Sequence, residues 1–203
     1  MKATMTEDAS GEMHESQGAR RDGERLNGLD LGALRGLCET VAASPSEGRA
    51  GFRVCTRWAG GARSVGRVGS WQRGGRDKQR HFSIAADEPP ELLGDSSAPN
   101  PQELLMAALN ACVLVGYVAG CSVHGIELES IEIETSGELD LRGFLGLDKS
   151  VKPGYDSVEY VVRIKGNGTP EQFRQVHATV MATSPNFFNI THPVRVRPRL
   201  VIE

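Results

Sequence analysis

Apolar residues recur along this chain at two different spacings, and each change of spacing marks a new element. Leu34, Leu37 and Val41 fall at three- and four-residue intervals, which predicts a short amphipathic helix stopped at Ser44-Pro45. From Phe52 the period shortens to two. Phe52, Val54 and Trp58 alternate with Arg53, Cys55 and Arg57, the pattern of a strand with one buried face. After the turn residues AGGARSVG come RVGSW and then HFSIAA, so three strands in an antiparallel meander are expected.

Asn100-Pro101-Gln102-Glu103 carries three helix-start signals: Asn at the cap, Pro at the first helical position and Glu placed for a capping box. The helix it opens is expected to run to about His124-Gly125. From Leu104 to Cys121 it is apolar except for Asn110. A helix apolar around its whole circumference is one buried on all sides, and a chain of 203 residues covers it most easily with a second copy of itself. The run contains alanines and glycines and lacks a flanking basic cluster or aromatic belt, so no membrane span is expected. Beyond it, Ile131 and Ile133 alternate with Glu132 and Glu134. Val158, Tyr160, Val162 and Ile164 likewise alternate with mostly polar neighbours, giving two more half-buried strands. Thr169-Pro170-Glu171-Gln172 opens a helix with Phe173, Val176 and Val180 on one face, broken at TSPNFF. Val194, Val196 and Leu200, opposite Arg195, Arg197 and Arg199, predict a last strand. This order of elements indicates an α+β fold.

Composition adds limits. With 39% hydrophobic and 24% charged residues, one core is expected, formed by a single domain over residues 26–203. Residues 1–25 carry charges of both signs and no apolar segment, so they are expected to be a mobile tail and not a secretory leader. Cys38, Cys55, Cys112 and Cys121 form no Cys-x-x-Cys pair and suit a reducing cytosol, so the protein is expected to be cytoplasmic. Neither the cysteines nor the five histidines have metal-ligand spacing, so no metal or cofactor is expected. Cys38 is expected at the core or its boundary. Cys121 lies about 13 Å along the helix from Cys112 and on the opposite face, so these two cannot pair. Cys38 and Cys55 both stay open as partners.

Motif tests exclude several chemistries. Gly61 to Gly66 has the outline of a phosphate loop but carries Arg67 and Val68 where Lys and Ser/Thr are needed. Gly120-Cys121-Ser122-Val123-His124 lacks the second glycine of a nucleophile elbow. Residues 49–80 hold nine Lys/Arg against Asp77 alone, with Trp58 and Trp71 interleaved. That hairpin is a weaker candidate for polyanion or nucleic-acid binding. A solvated face balanced by the acidic 127–140 segment explains it as well, and with a net charge of −3 and no nucleic-acid motif, nucleic acid is not an expected partner. Cys112 sits three turns inside its helix, beyond the reach of the helix dipole. As a packing residue it needs nothing further. As a reactive thiol it needs a cation from elsewhere in the fold, and Arg63, at the tip of the first hairpin, is the candidate.

Four stretches together, DEPPELLGDSSAPNPQELLMAALNAC (87–112), GELDLRGFLGL (137–147), VKPGYDSVEYVVRI (151–164) and TSPNFFNITHPVRV (183–196), make the chain from about residue 26 onward resemble the OsmC/Ohr family. The resemblance is to its OsmC-like branch with an extra N-terminal helix. It implies an intertwined homodimer of α+β subunits, with antiparallel sheets around a central buried helix that carries a peroxidatic cysteine at the subunit interface. In two-cysteine members that thiolate reduces an organic hydroperoxide and becomes a sulfenic acid. A cysteine in a Cys-Pro motif condenses with it, and a dithiol reduces the resulting disulfide. An arginine of the first hairpin and a glutamate at the start of the central helix help organise the site. The resemblance assigns the peroxidatic position to Cys112 and the arginine to Arg63. The family's Pro-Glu glutamate position is Gln102 here, with the acid next door at Glu103. Ser184-Pro185 stands where the resolving Cys-Pro would be.

The reading that follows is an OsmC-like homodimer with a reactive Cys112. It acts either as a one-cysteine, peroxiredoxin-type organic hydroperoxide reductase served by a dithiol reductant, or as a peroxide or electrophile sensor. The rival is a non-enzymatic protein of the same fold that binds a small apolar ligand.

Overall fold

The computed structural model describes residues 25–203. The expected tail lies outside them except for Arg25. In chain order the elements are a hairpin of β1 (Arg25–Leu26) and β2 (Leu29–Asp30), helix α1 (Leu31–Ala43), and the meander β3 (Ala50–Trp58), β4 (Ser64–Arg73) and β5 (Arg76–Ala86). Helix α2 (Pro101–Val123), strand β6 (Leu128–Ser136), the single-turn α3 (Leu141–Phe144), strand β7 (Glu159–Gly166), and helices α4 (Pro170–Thr183) and α5 (Pro185–Thr191) complete the series. All strand pairs are antiparallel. The fold is α+β.

Both capping boxes read from sequence form. Glu103 N–H donates to Asn100 Oδ1 at 2.8 Å and Asn100 N–H returns a bond to Glu103 Oε2 at 2.8 Å. Thr169 and Gln172 do the same for α4. Such a cap stabilises a helix by about 1 kcal/mol.

The core is a stripe of α2, Leu109, Val113, Tyr117 and Cys121, closed by Ile126 and by Val176 and Val180 of α4. The four-residue interval keeps the stripe on one face. Ile131, Ile133, Val162 and Ile164 of the β6–β7 hairpin pack against it. Gly116 and Gly120 let α4 lie close: a Cβ on Gly120 would stand 2.9 Å from Val176 Cγ1, and one on Gly116 3.1 Å from Val180 Cγ1. Asn110, the polar residue in the apolar run, is used to register β6, donating to Ile133 O at 3.3 Å and accepting from the Thr135 hydroxyl.

Within one chain α4, α5 and β6 cover one side of the central helix, and Val115 on the other side is 66% exposed. Helix α4 ends in the TSPNFF stretch, where Ser184 also starts α5. Two expectations are corrected. Residues 193–203 form no strand, since no strand of the described chain pairs with them and Pro193 and Pro198 each remove a donor. Cys38, expected at the core or its boundary, is exposed.

The loop leading into α2 folds around Asp87, a buried carboxylate that the sequence did not single out. Its Oδ2 accepts from Ser97 Oγ (2.7 Å), Ser97 N–H (3.0 Å) and Asp95 N–H (3.2 Å), and its Oδ1 from Glu88 N–H (2.9 Å). These bonds, those from Ser97 foremost, lower its pKa to about 2.

Two outcomes follow from this packing. Gly120→Ala gains roughly 0.5–1 kcal/mol of backbone entropy but overpacks against Val176, at a cost of about 1–3 kcal/mol. Denaturant titration is therefore expected to show a net loss of roughly 1 kcal/mol; a more stable variant would mean that α4 yields. Asp87→Asn places an amide where three donors converge. A carboxylate with a depressed folded pKa stabilises above its unfolded value and loses that contribution as pH falls through the folded one. The stability gap between parent and Asp87→Asn is thus expected to be full above pH about 4 and to close towards pH about 2, read from thermal midpoints across that range.

Candidate functional site

Cys112 lies beside the core stripe of α2, one turn after Leu109, and is half-buried. What meets it is set by the junction of α4 and α5. The Ser184 N–H donates to Val180 O at 2.9 Å, ending α4. Its Oγ accepts from Phe187 N–H at 3.4 Å, starting α5, whose first residue is Pro185. The same hydroxyl donates to Cys112 Sγ at 3.4 Å. One buried side chain therefore caps a helix and faces the thiol. Asn186 Nδ2 donates to Ala108 O at 2.8 Å, which holds α5 against α2 one turn before the thiol.

Two cavities flank the N-terminal half of α2. One, of about 360 Å³, is lined by Leu105, Met106, Leu109, Tyr155, Ile190 and Thr191. The other, of about 270 Å³, is lined by Pro101, Gln102, Leu92, Leu141, Phe144 and Tyr155. Tyr155 stands between them, and Gln102 supplies an amide to an otherwise mostly apolar wall.

Arg63 occupies the turn between β3 and β4, with its guanidinium 3.8 Å from the carboxylate of Asp95 in the loop before α2. Among the described residues no hydrogen bond or ion pair joins Arg63 to Cys112 or to Glu103. The Glu103 carboxylate is engaged in the capping box. Of the residues singled out from sequence, the single chain brings together Cys112 and Ser184, and leaves Arg63 on a different part of the surface.

The meander sorts its side chains by face. Phe52 pairs with Trp71 and stacks on it, and Val54 pairs with Val68, which pairs in turn with Phe82. Arg53, Arg57 and Arg67 fall on the opposite face by alternation. The aromatic face is not free of cations, since Lys78 pairs with Trp71, Arg73 follows it at two-residue spacing and the Arg80 guanidinium lies 4.8 Å from the Phe82 ring centroid. Nor does the acidic segment balance these arginines: Glu132 and Glu134 bind Arg163, and Glu129 binds Lys165, all on the β6–β7 hairpin.

All four cysteines are free. Cys121 is fully buried, and burial pushes its thiol pKa up, the opposite of activation. Sequence reasoning missed Asn27, whose amide bonds Ser122 Oγ, Ile126 O and Leu128 N–H, and so ties the N-terminal hairpin to the end of α2. It also missed the bond between the Tyr117 hydroxyl and His177 Nδ1. Nothing in the sequence links residues so far apart.

Residues 94–199 match the family model described as OsmC-like protein. An OsmC like protein from Mycoplasma pneumoniae aligns with a TM-score of 0.54 at 11% identity, over 69% of this chain and 86% of that one. A Psychrobacter arcticus protein named for osmotic stress induction and a detoxification response aligns with a TM-score of 0.53 at 16% identity, over 69% of this chain and 88% of the other. At these identities the likeness is one of fold. No curated protein matches the chain.

Proposed function

Because the chain belongs to the OsmC-like protein family, we propose that it is a cytoplasmic homodimer whose Cys112 is a reactive thiol, oxidised by an organic hydroperoxide in a one-cysteine peroxidase cycle or as a peroxide or electrophile sensor. The observation that carries the reading is the Ser184 hydroxyl bonded to Cys112 Sγ. A hydroxyl in that place can donate to a thiolate, or to the oxygen of a sulfenic acid, but it cannot form a disulfide.

The Cys112 thiolate attacks the distal oxygen of the hydroperoxide, the O–O bond breaks, and the alkoxide leaves as the alcohol after taking a proton. Sulfur is oxidised to sulfenic acid and the peroxide is reduced. With serine at position 184 the sulfenic acid waits for a thiol from outside, and a dithiol reductant returns it to the thiol through a mixed disulfide. Arg63 is the cation assigned to the thiolate, and it reaches Cys112 from the meander of the second copy. Glu103 holds the first turn of α2, and Gln102 faces the bound substrate from the cavity wall.

The dimer is supported by two uncovered apolar faces. The meander leaves Phe52 75% exposed and Trp58 79% exposed, while α2 leaves Val115 open on its free side. Exposed apolar area on this scale marks a protein contact. A non-enzymatic ligand-binding role is the second reading, favoured by the two cavities that meet at Tyr155.

Light scattering is expected to give twice the chain mass at micromolar concentration; a stable monomer would remove the dimer and the delivery of Arg63 with it. For the chemistry, intact-mass analysis after a small excess of cumene hydroperoxide with a dimedone-type trap is expected to show one adduct, at Cys112. An unreactive Cys112 would favour the ligand-binding reading. In Ser184→Cys, whose new sulfur would sit near the 3.4 Å position of the hydroxyl, the same treatment should consume two thiols per chain and give a Cys112 disulfide on peptide mapping. A folded variant without that disulfide would refute the assignment of position 184.

A further inference from the structure

A groove of about 480 Å³ runs between β7 and α4, away from the Cys112–Ser184 contact. Tyr117, at its floor, lies about 7–8 Å along α2 from Cys112 and about 140° around the helix. Tyr160, Val162 and Ile164 of β7, at two-residue spacing, form one wall, and Phe173 and His177, one turn apart on α4, form the other. A volume of this size falls in the range of small-molecule sites, about 300–1,000 Å³.

The polar side chains of the groove can all present donors. Burial, with smaller contributions from Tyr160 and Cys121, pushes the Tyr117 pKa up to about 12, so its phenol keeps its proton and can donate a hydrogen bond to His177 Nδ1. In the tautomer with Nδ1 as acceptor the imidazole hydrogen sits on Nε2, which has no partner among the described residues. The Tyr160 hydroxyl is spent on Met181. Arg174, at the rim, binds Glu171 through one nitrogen and keeps further N–H groups for a ligand. No carboxylate lines the groove.

We propose that this groove is a binding site, separate from the thiol, for a small molecule with an apolar body and one carboxylate. The body lies along Val162, Ile164 and Phe173, and the carboxylate accepts from His177 Nε2–H and the Arg174 guanidinium. Apolar walls with a few placed polar groups are what such sites require, and a charge-assisted pair of donors selects the anion.

Octanoate is the probe. Calorimetric titration of the full chain is expected to show saturable binding, weakened roughly tenfold by Arg174→Gln, an exposed position whose change leaves the fold intact, and similarly by His177→Phe. Octan-1-ol, which keeps the body and lacks the anion, is expected to bind roughly tenfold more weakly than octanoate. Cys112→Ser is expected to bind octanoate as the parent does. In the parent itself, the His177 ring resonances should move on titration, a readout that needs no variant. Absence of saturable binding, equal affinity for octan-1-ol, parent-like affinity in both groove variants, or loss of binding in Cys112→Ser would each overturn the assignment.

Discussion

The close approach of α4 to α2 over Gly116 and Gly120 is the constraint from which the rest of this structure follows. Side chains at these two positions would press on Val180 and Val176, both essentially buried. With hydrogen there instead, the two helices share one core. The end of α4 then falls beside Cys112, and Ser184, where the chain turns into α5, meets the thiol. The same seam sets Tyr117 against His177. A chemical contact at one end and a polar pair further along are both consequences of helix packing.

The apolar surface is divided unevenly. The stripe Leu109, Val113, Tyr117 and Cys121 is satisfied within the chain, whereas the opposite side of α2 and the aromatic face of the meander are not. Each exposed apolar face loses stabilisation of roughly 25 cal/mol per Å² that burial would supply. The face of the meander that carries Phe52, Val54, Trp58 and Phe82 exposes large apolar side chains with few contacts inside the chain. That uncovered apolar area is why a second copy enters the proposed function.

Serine in place of cysteine changes what the site can do without changing how it is built. The hydroxyl caps α5 and satisfies its own proton on sulfur. A thiol would be a weaker cap and a potential disulfide partner. The position therefore trades redox closure for local order, and any cycle at Cys112 depends on a reductant from outside the chain.

Periodicity by itself determined most of the elements. The 3.6-residue and two-residue patterns with their caps located α1, the meander, α2, the β6–β7 pair and α4, because local amphipathicity and capping chemistry are written in neighbouring residues. The quoted motifs carried the family, and with it the attention paid to Cys112 and to the serine at position 184. Tertiary structure decided what depends on distant partners. Residues 194–200 have a strand's alternation, but a strand needs a partner, and no strand of the described chain pairs with them. An all-apolar helix reads as one that needs cover on every side, but only the fold decides which elements supply it: α4, α5 and β6 take one side of α2 and leave the other open. Asp87, Asn27 and the Tyr117–His177 pair were invisible for the same reason: a buried polar group is recognised by the donors and acceptors around it, and those come from parts of the chain that only folding brings together.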